Sequence, residues 1–315
     1  MKKKKVSLLV PAYNEEKSMP SLHEALIELM DGPLSQDYDF EVLLINDGSS
    51  DRTLEIIKEM RAADPRICYV NLSRNFGKEN AMLAGFDYVT GDCTVILDAD
   101  LQDPVEVIPE MLKWWEEGYE DVYGRRRHRG KESWLRKELS LTFYNFLQNS
   151  TRFDILPNVG DFRLLDNRCI KALRHLRETQ RYTKGLFCWI GFKKKEVLFD
   201  RHDREAGKSS FNIKSLFNLA IEGITSFSTS PLRLASILGM VIAFVAFVYM
   251  IVIFTKTLIW GDDVQGFPAL MCVILFLGGI QLLCIGIIGE YVGRIFNESK
   301  NRPVYIIDSY NGEQI

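Results

Sequence analysis

Asp98, Asp100 and Gln102 follow directly on an apolar run, residues 94–97, in the stretch VILDADLQDP. Alternate residues of an extended chain share one face, so the two carboxylates can converge on one point. Carboxylate and amide oxygens are hard ligands suited to Mg2+ or Mn2+, and such an ion neutralises the oxygens of a departing diphosphate. Two acids set directly after a buried strand repel each other unless a cation sits between them. Asp103 reads differently: with Pro104 at the first helical position and Glu106 three residues after the cap, it has the pattern of a helix N-terminus.

The segments before it must position that loop. Residues 6–10, 40–45, 68–72 and 94–97 are apolar runs of strand length. Helical periodicity fills the gaps, with Leu22, Leu26 and Leu29 on one face, then Leu54, Ile57 and Met60, then a helix over 79–89. Strand and helix alternate four times, which predicts an α/β fold with a mostly parallel sheet covered by helices and ligands outside the carboxyl ends of the strands. Each predicted strand end carries polar groups: Tyr13, Asn14 and Glu15; Asp47; Arg74, Asn75 and Lys78; Asp98 and Asp100.

The chain has 315 residues, 47% of them hydrophobic, and a net charge of −3, which gives no sign of a nucleic-acid partner. Charge is unevenly spread. Residues 234–255 and 264–289 carry none, and at about 1.5 Å per residue each would cross a hydrocarbon core of roughly 30 Å. Lys214, Arg233, Arg294, Lys300 and Arg302 flank the outer ends, against Lys256, Asp262 and Asp263 at the hairpin, so the large domain and both termini are expected in the cytoplasm of a multi-pass plasma-membrane protein. The expected division is a catalytic domain over 1–210, a juxtamembrane amphipathic helix over 211–231, a two-helix transmembrane hairpin over 232–296 and a tail over 297–315. MKKKKVSLLVPAYNEE reads as a strand rather than a signal peptide. The six cysteines form no CxxC pair and are expected to be reduced.

In this order and spacing, VPAYNEE, NDGSSDRT, SRNFGKE and DADLQDP resemble the inverting GT-A nucleotide-sugar glycosyltransferases that load polyprenyl phosphates. Dolichol-phosphate mannose synthases and the two-span bactoprenol-phosphate glucosyltransferases are the nearest groups, and the resemblance runs over residues 6–300. It implies a base-and-ribose pocket at Pro11, Tyr13, Glu15 and Asp47, with Asp98 approaching the nucleotide and Asp100 and Gln102 as metal ligands. Lys78 either touches the nucleotide or is solvated. The acceptor phosphate is expected at Arg126, Arg136 and Ser140, where guanidinium forks bind two oxygens at once. Arg125, Arg127 and Arg129 read as a solvated or headgroup face. Asp161, in GDFRL, positions the acceptor or acts as base. A loop closing over the diphosphate maps to Arg204 and Lys208, with Ser210 standing where the family has lysine.

The resemblance implies transfer of one hexose, with glucose from UDP-glucose the first choice, to undecaprenyl phosphate at the cytoplasmic leaflet. GDP-mannose, UDP-N-acetylglucosamine and a UDP-aminoarabinose derivative are the alternative donors. Two spans are few for a sugar channel unless the chain forms a homo-oligomer. A nicotinamide-dependent oxidoreductase would need a glycine-rich turn after the first strand, and VPAYNEE has no glycine. A non-catalytic membrane scaffold or transporter subunit would not need Asp98, Asp100 and Arg126 together.

Overall fold

Val6, Leu8, Leu9 and Val10 are all fully buried. A strand with one wet face cannot bury consecutive residues, so strand β1 (Lys4–Ala12) must be covered on both sides, as in a parallel sheet flanked by helices. The computed structural model describes residues 3–127, 159–179, 181–200, 230–260 and 266–314. In it β1 pairs in parallel with β2 (Tyr38–Asn46) and with β4 (Cys93–Ile96), and β2 pairs in parallel with β3 (Ile67–Leu72). The connecting helices are α1 (Met19–Asp31), α2 (Thr53–Ala63) and α3 (Lys78–Tyr88). Their inward faces carry Leu22 and Leu26, then Ile57 and Met60, as the periodicity predicts. Helix α3 lies so close to β1 that a Cβ on Gly85 would stand 2.2 Å from the Leu9 side chain.

The second half of the sheet is mixed. After α4 (Ile108–Glu116) come β5 (Asp121–Arg126) and β6 (Val159–Asp166), then α5 (Asn167–His175), α6 (Thr183–Trp189) and β7 (Lys194–Phe199). Strand β6 is antiparallel to both β4 and β5. The end of β5 at Arg126 and the start of β6 therefore lie at the edge where β1 to β4 also end. Pro104 does not open a helix as its sequence pattern predicts. Its backbone is extended (ψ 122°), a short 3-10 turn follows, and α4 starts at Ile108 with Pro109 in its first turn. The N-cap residues, Pro104 and Val107, supply no side-chain cap.

Helices α7 (Ser230–Trp260) and α8 (Phe267–Ser299) form a separate unit, Ile224–Asn301, while the sheet unit joins Met1–Gly223 to Arg302–Ile315. Large apolar side chains are exposed on both helices, among them Met240 at 72% and Leu282 at 72%. Among the described residues, Phe276–Ser299 is long and apolar enough to cross a membrane, and Ala235–Tyr249 is a shorter apolar stretch. The predicted amphipathic helix falls at 211–231, of which 211–229 lies outside the described residues.

Residues 297–315 are more than a tail. Strand β8 (Ile307–Tyr310) adds antiparallel to β3, and β9 (Glu313–Gln314) adds to β8. The order among the described residues is β7-β5-β6-β4-β1-β2-β3-β8-β9. Asn71 Nδ2 donates to Asp308 Oδ2 at 2.9 Å, the Tyr69 N–H donates to Asn311 Oδ1 at 2.8 Å, and Tyr305 bonds Asp87 of α3. The five described cysteines are free.

Candidate active site

The loops at the carboxyl ends of β1 and β2 are latched to each other. Asn14, at φ 55°, accepts the Ser50 N–H at 2.8 Å through its side chain and donates its own N–H to Ser49 Oγ at 3.0 Å. The Glu15 N–H donates to Thr53 Oγ1 at 2.8 Å. Pro11 is buried at the end of β1, while Tyr13 stands outside the latch, 47% exposed. Ser18 Oγ donates to Glu15 Oε2 at 2.8 Å.

Asp47 has a structural task that the sequence did not reveal. Its Oδ1 accepts the Phe76 N–H at 2.7 Å and its Oδ2 accepts the Gly77 N–H at 2.9 Å, so it holds the loop after β3. Burial pushes its carboxyl above the usual range against those two bonds. Each carboxylate oxygen accepts more than one hydrogen bond, so a substrate donor remains compatible with this role. The neighbouring Gly48 is at φ 64°, and a Cβ there would lie 2.3 Å from the Arg74 carbonyl carbon. Only glycine lets the β2 and β3 loops meet.

That loop delivers Lys78 to the centre of the site. Lys78 Nζ donates to Asp98 Oδ1 at 2.5 Å and to Asp161 Oδ2 at 2.6 Å. The cation beside Asp98 is therefore an ammonium of the chain itself, and Asp98 pairs with Asp161 through it. Burial opposes the charge on Lys78, but Asp161 and Asp98 outweigh it and hold the ammonium above the usual lysine range. Burial likewise opposes ionisation of Asp161, and Lys78, with Lys184 behind it, holds that carboxyl below the usual range. Asp161 Oδ1 is buried and has no hydrogen-bond partner among the described residues. Beside this group Glu79 accepts the Thr183 N–H at 2.9 Å, and burial, then Asp161, raises its carboxyl.

Asp100 follows Asp98 by two residues in the same loop. Its Oδ1 accepts the Gln102 N–H at 3.3 Å across Leu101, which is held at φ 53°. A left-handed leucine costs about 1–2 kcal/mol, a local strain of the kind that collects at functional loops. Among the described residues no three His, Cys, Asp or Glu side chains form a metal cage. Mg2+ in phosphate chemistry does not need one, since one or two carboxylates suffice when substrate oxygens complete the shell. The Asp100 carboxylate and the Gln102 amide are hard donors within one loop and fit such an ion.

At the end of β5, Arg125 pairs with Glu196 at 2.8 Å and Arg127 with Asp200 at 3.6 Å. Both arginine side chains are solvent-exposed and sit in surface ion pairs. Strand alternation sends Arg126 the other way, and its guanidinium lies 3.8 Å from where a Cβ on Gly160 would be. It thus reaches the residue next to Asp161. Strand β6 is pinned from below by Arg163, which is 2% exposed. Its Nη1 pairs with Asp121 at 3.2 Å, its Nη2 donates to Gly160 O at 3.2 Å, and its guanidinium lies 3.8 Å from the Phe187 ring centroid. The sequence signal for this residue was an arginine set between apolar neighbours, Phe162 and Leu164. Arg136, Ser140, Arg204 and Lys208 lie outside the described residues, as does Arg129.

Residues 7–174 match the Glycosyl transferase family 2 domain, and residues 230–295 match the GtrB C-terminal hairpin. The chain is 43% identical over 307 residues to an uncharacterized glycosyltransferase of Synechocystis, covering 98% of this chain and 96% of the relative. It is 42% identical over 303 residues to a prophage bactoprenol glucosyl transferase homolog of Escherichia coli, covering 96% and 98%. It is 41% identical over 303 residues to the bactoprenol glucosyl transferase of Shigella phage SfV, again covering 96% and 98%. The motifs at the strand ends, the sheet they terminate and the matched hairpin agree: the chain belongs to glycosyl transferase family 2, with a GT-A catalytic fold and a GtrB-type C-terminal hairpin.

Proposed function

We propose that the chain transfers a single glucose from UDP-glucose to undecaprenyl phosphate at the cytoplasmic face of the plasma membrane, with inversion at the anomeric carbon. The observation that carries this reading is full-length similarity, catalytic domain and hairpin together, to relatives named bactoprenol glucosyl transferases. The exposed apolar surfaces of α7 and α8 suit a lipid environment. They would hold the site near the headgroups, where a lipid phosphate lies.

The reaction needs little proton chemistry. A phosphate oxygen of the acceptor, already an anion near neutral pH, attacks C1 as the bond from C1 to the UDP oxygen breaks, giving the glucosyl phospholipid and UDP. Arg126 would grip the acceptor phosphate through its guanidinium fork. Tyr13 would cover the base, and Glu15 and Asp47 would meet its donors or those of the ribose. Asp100 and Gln102 would hold Mg2+ or Mn2+, which supplies charge neutralisation at the leaving diphosphate. Holding both reactants in line converts a bimolecular encounter into an oriented one.

The test is transfer of radiolabelled sugar into the organic phase by the purified protein with undecaprenyl phosphate, Mg2+ or Mn2+, and a panel of UDP- and GDP-sugars. Label from UDP-glucose alone, abolished by EDTA, is the expected result. Lipid product from a different donor would replace glucose with that sugar. No lipid product from any donor would overturn the acceptor.

A further inference from the structure

Three side chains form a hydrogen-bonded row across β8, β3 and β2. Asp308 Oδ2 accepts from Asn71 Nδ2 at 2.9 Å, and Asn71 Oδ1 accepts from Asn46 Nδ2 at 2.7 Å. A carboxylate can only accept, so Asp308 fixes which end of the Asn71 amide faces it, and Asn71 in turn fixes that of Asn46. Asn46 is 1% exposed, so its amide has no solvent to turn to. Asn46 leads directly into Asp47, and Asn71 lies two residues before Ser73. One exposed carboxylate beyond the hairpin thus orders two amides beside the two segments that Asp47 ties together, its own turn and the 76–77 loop.

The backbone repeats the connection. The Ser73 N–H donates to Ile306 O at 2.9 Å, just past the register shift between Asn71 and Leu72. The loop after β3 is therefore held at its start by the C-terminal segment and at its end by Asp47. Helix α3, which begins at Lys78, is held as well. Tyr305 bonds Asp87, which Arg177 grips with both terminal nitrogens at 2.7 Å, and the Tyr310 and Tyr88 rings lie 5.0 Å apart. Covering a sheet edge requires only a ladder. These ties to the loop and to α3 exceed that need.

We propose that Asp308 is a positioning residue for the donor site, acting through Asn71 and Asn46 to hold Asp47 and the 73–78 loop in the geometry that receives the nucleotide sugar. Asp308 itself touches no substrate. The donor site is thus completed by residues that follow α8 in the chain. This rests on the reading of the chain as a nucleotide-sugar transferase.

The experiment uses the full-length protein in detergent and reads two quantities, amide hydrogen exchange and steady-state transfer from UDP-glucose to undecaprenyl phosphate. Asp308→Ala is expected to speed exchange of the Phe76 and Gly77 amides, which Asp308 does not touch, by about 5- to 10-fold. The KM for UDP-glucose should rise by about the same factor with kcat within about twofold, because a loosened site loses donor affinity. Asp308→Asn keeps an acceptor for Asn71 and should restore both. Asn71→Leu should match Asp308→Ala, and the double variant should be no worse than either, as a single relay requires. Asn311→Gly is the control. It removes the bond to the Tyr69 N–H just past β8, and should lower the melting temperature with loop exchange and KM unchanged. Faster exchange confined to β3 and β8 in Asp308→Ala would overturn the proposal, leaving β8 a cover for the sheet edge. So would an equal rise of KM in Asn311→Gly, or a loss in kcat alone. If Asp308→Ala does not fold, Asn71→Leu decides by the same readings. Absence of transfer by the wild-type protein would instead remove the proposed function, and the exchange measurements would still decide the relay.

Discussion

Asp98 and Asp161 face each other across the antiparallel β4 and β6 strands, two residues beyond the last ladder pair, Ile96 and Arg163. Like charges directly opposite on neighbouring strands are destabilising. Here the Lys78 ammonium touches both and turns a repulsion into a cross-link between the end of β4 and the start of β6.

Removing that ammonium should be felt in stability. Lys78→Met leaves two carboxylates with no shared cation. The Lys78 side chain is 41% exposed, so the loss is well below that of a fully buried pair, at about 1–2 kcal/mol. Thermal unfolding of the variant against wild type measures it. An added Asp98→Asn change should recover part of the loss, because one charge of the opposed pair is gone.

Asp100→Asn tests the metal reading. The amide keeps an oxygen but loses the charge, and turnover at saturating donor should fall by about 100-fold or more, since metal charge stabilisation is worth several kcal/mol. A titration of Mn2+ followed by its paramagnetic resonance should show weaker binding in parallel. Full turnover in a folded variant would assign the metal elsewhere.

Arg163 and Asp121 are 2% and 0% exposed, so their pair has no solvent to fall back on. Arg163→Met alone should cost about 3–5 kcal/mol by stranding a buried carboxylate. The double change with Asp121→Leu should regain most of that, because an apolar pair of similar volume removes both charges. Thermal unfolding of the single and double variants decides this.

The acid side of the stability profile follows from two carboxylates. Burial works against both, but Lys78 and Lys184 hold Asp161 low, and Lys5, Ser7 and Thr90 hold Glu41 low. A carboxyl with a lowered folded-state value stabilises above its unfolded value, about 4, and that contribution is lost as pH falls through the folded value. Glu79 has the opposite sign, raised by burial and by Asp161, so its ionisation works against the fold at neutral pH. Glu79→Gln keeps an acceptor for the Thr183 N–H and should raise the melting temperature at pH 7 while leaving it unchanged near pH 3.

Much of this was legible in the sequence because it rests on local pattern. The four parallel strands and the helices between them follow from runs and periodicities confined to short windows, and DADLQDP announces its loop by itself. Three features were hidden, each for a physical reason. The Lys78 bridge joins residues from three elements, and nothing in GKE says which carboxylates its side chain will reach. Asp47 looked like a ligand contact because a carboxylate at a strand end serves a substrate or a backbone amide equally well, and only the fold of the 76–77 loop shows the second use. Strand β8 is four residues long and pairs with a strand far away in sequence, so no local signal separates it from a tail.

Strand β8 constrains how the chain can be threaded through a bilayer. Strands that share a ladder lie in the same aqueous compartment, and β8 is hydrogen-bonded to β3. The polypeptide leaves the sheet after β7 and must return to the same side before β8 begins. Its number of crossings is therefore even. If the apolar segment Phe276–Ser299 crosses, it is not a solitary pass: a second crossing lies elsewhere between β7 and β8.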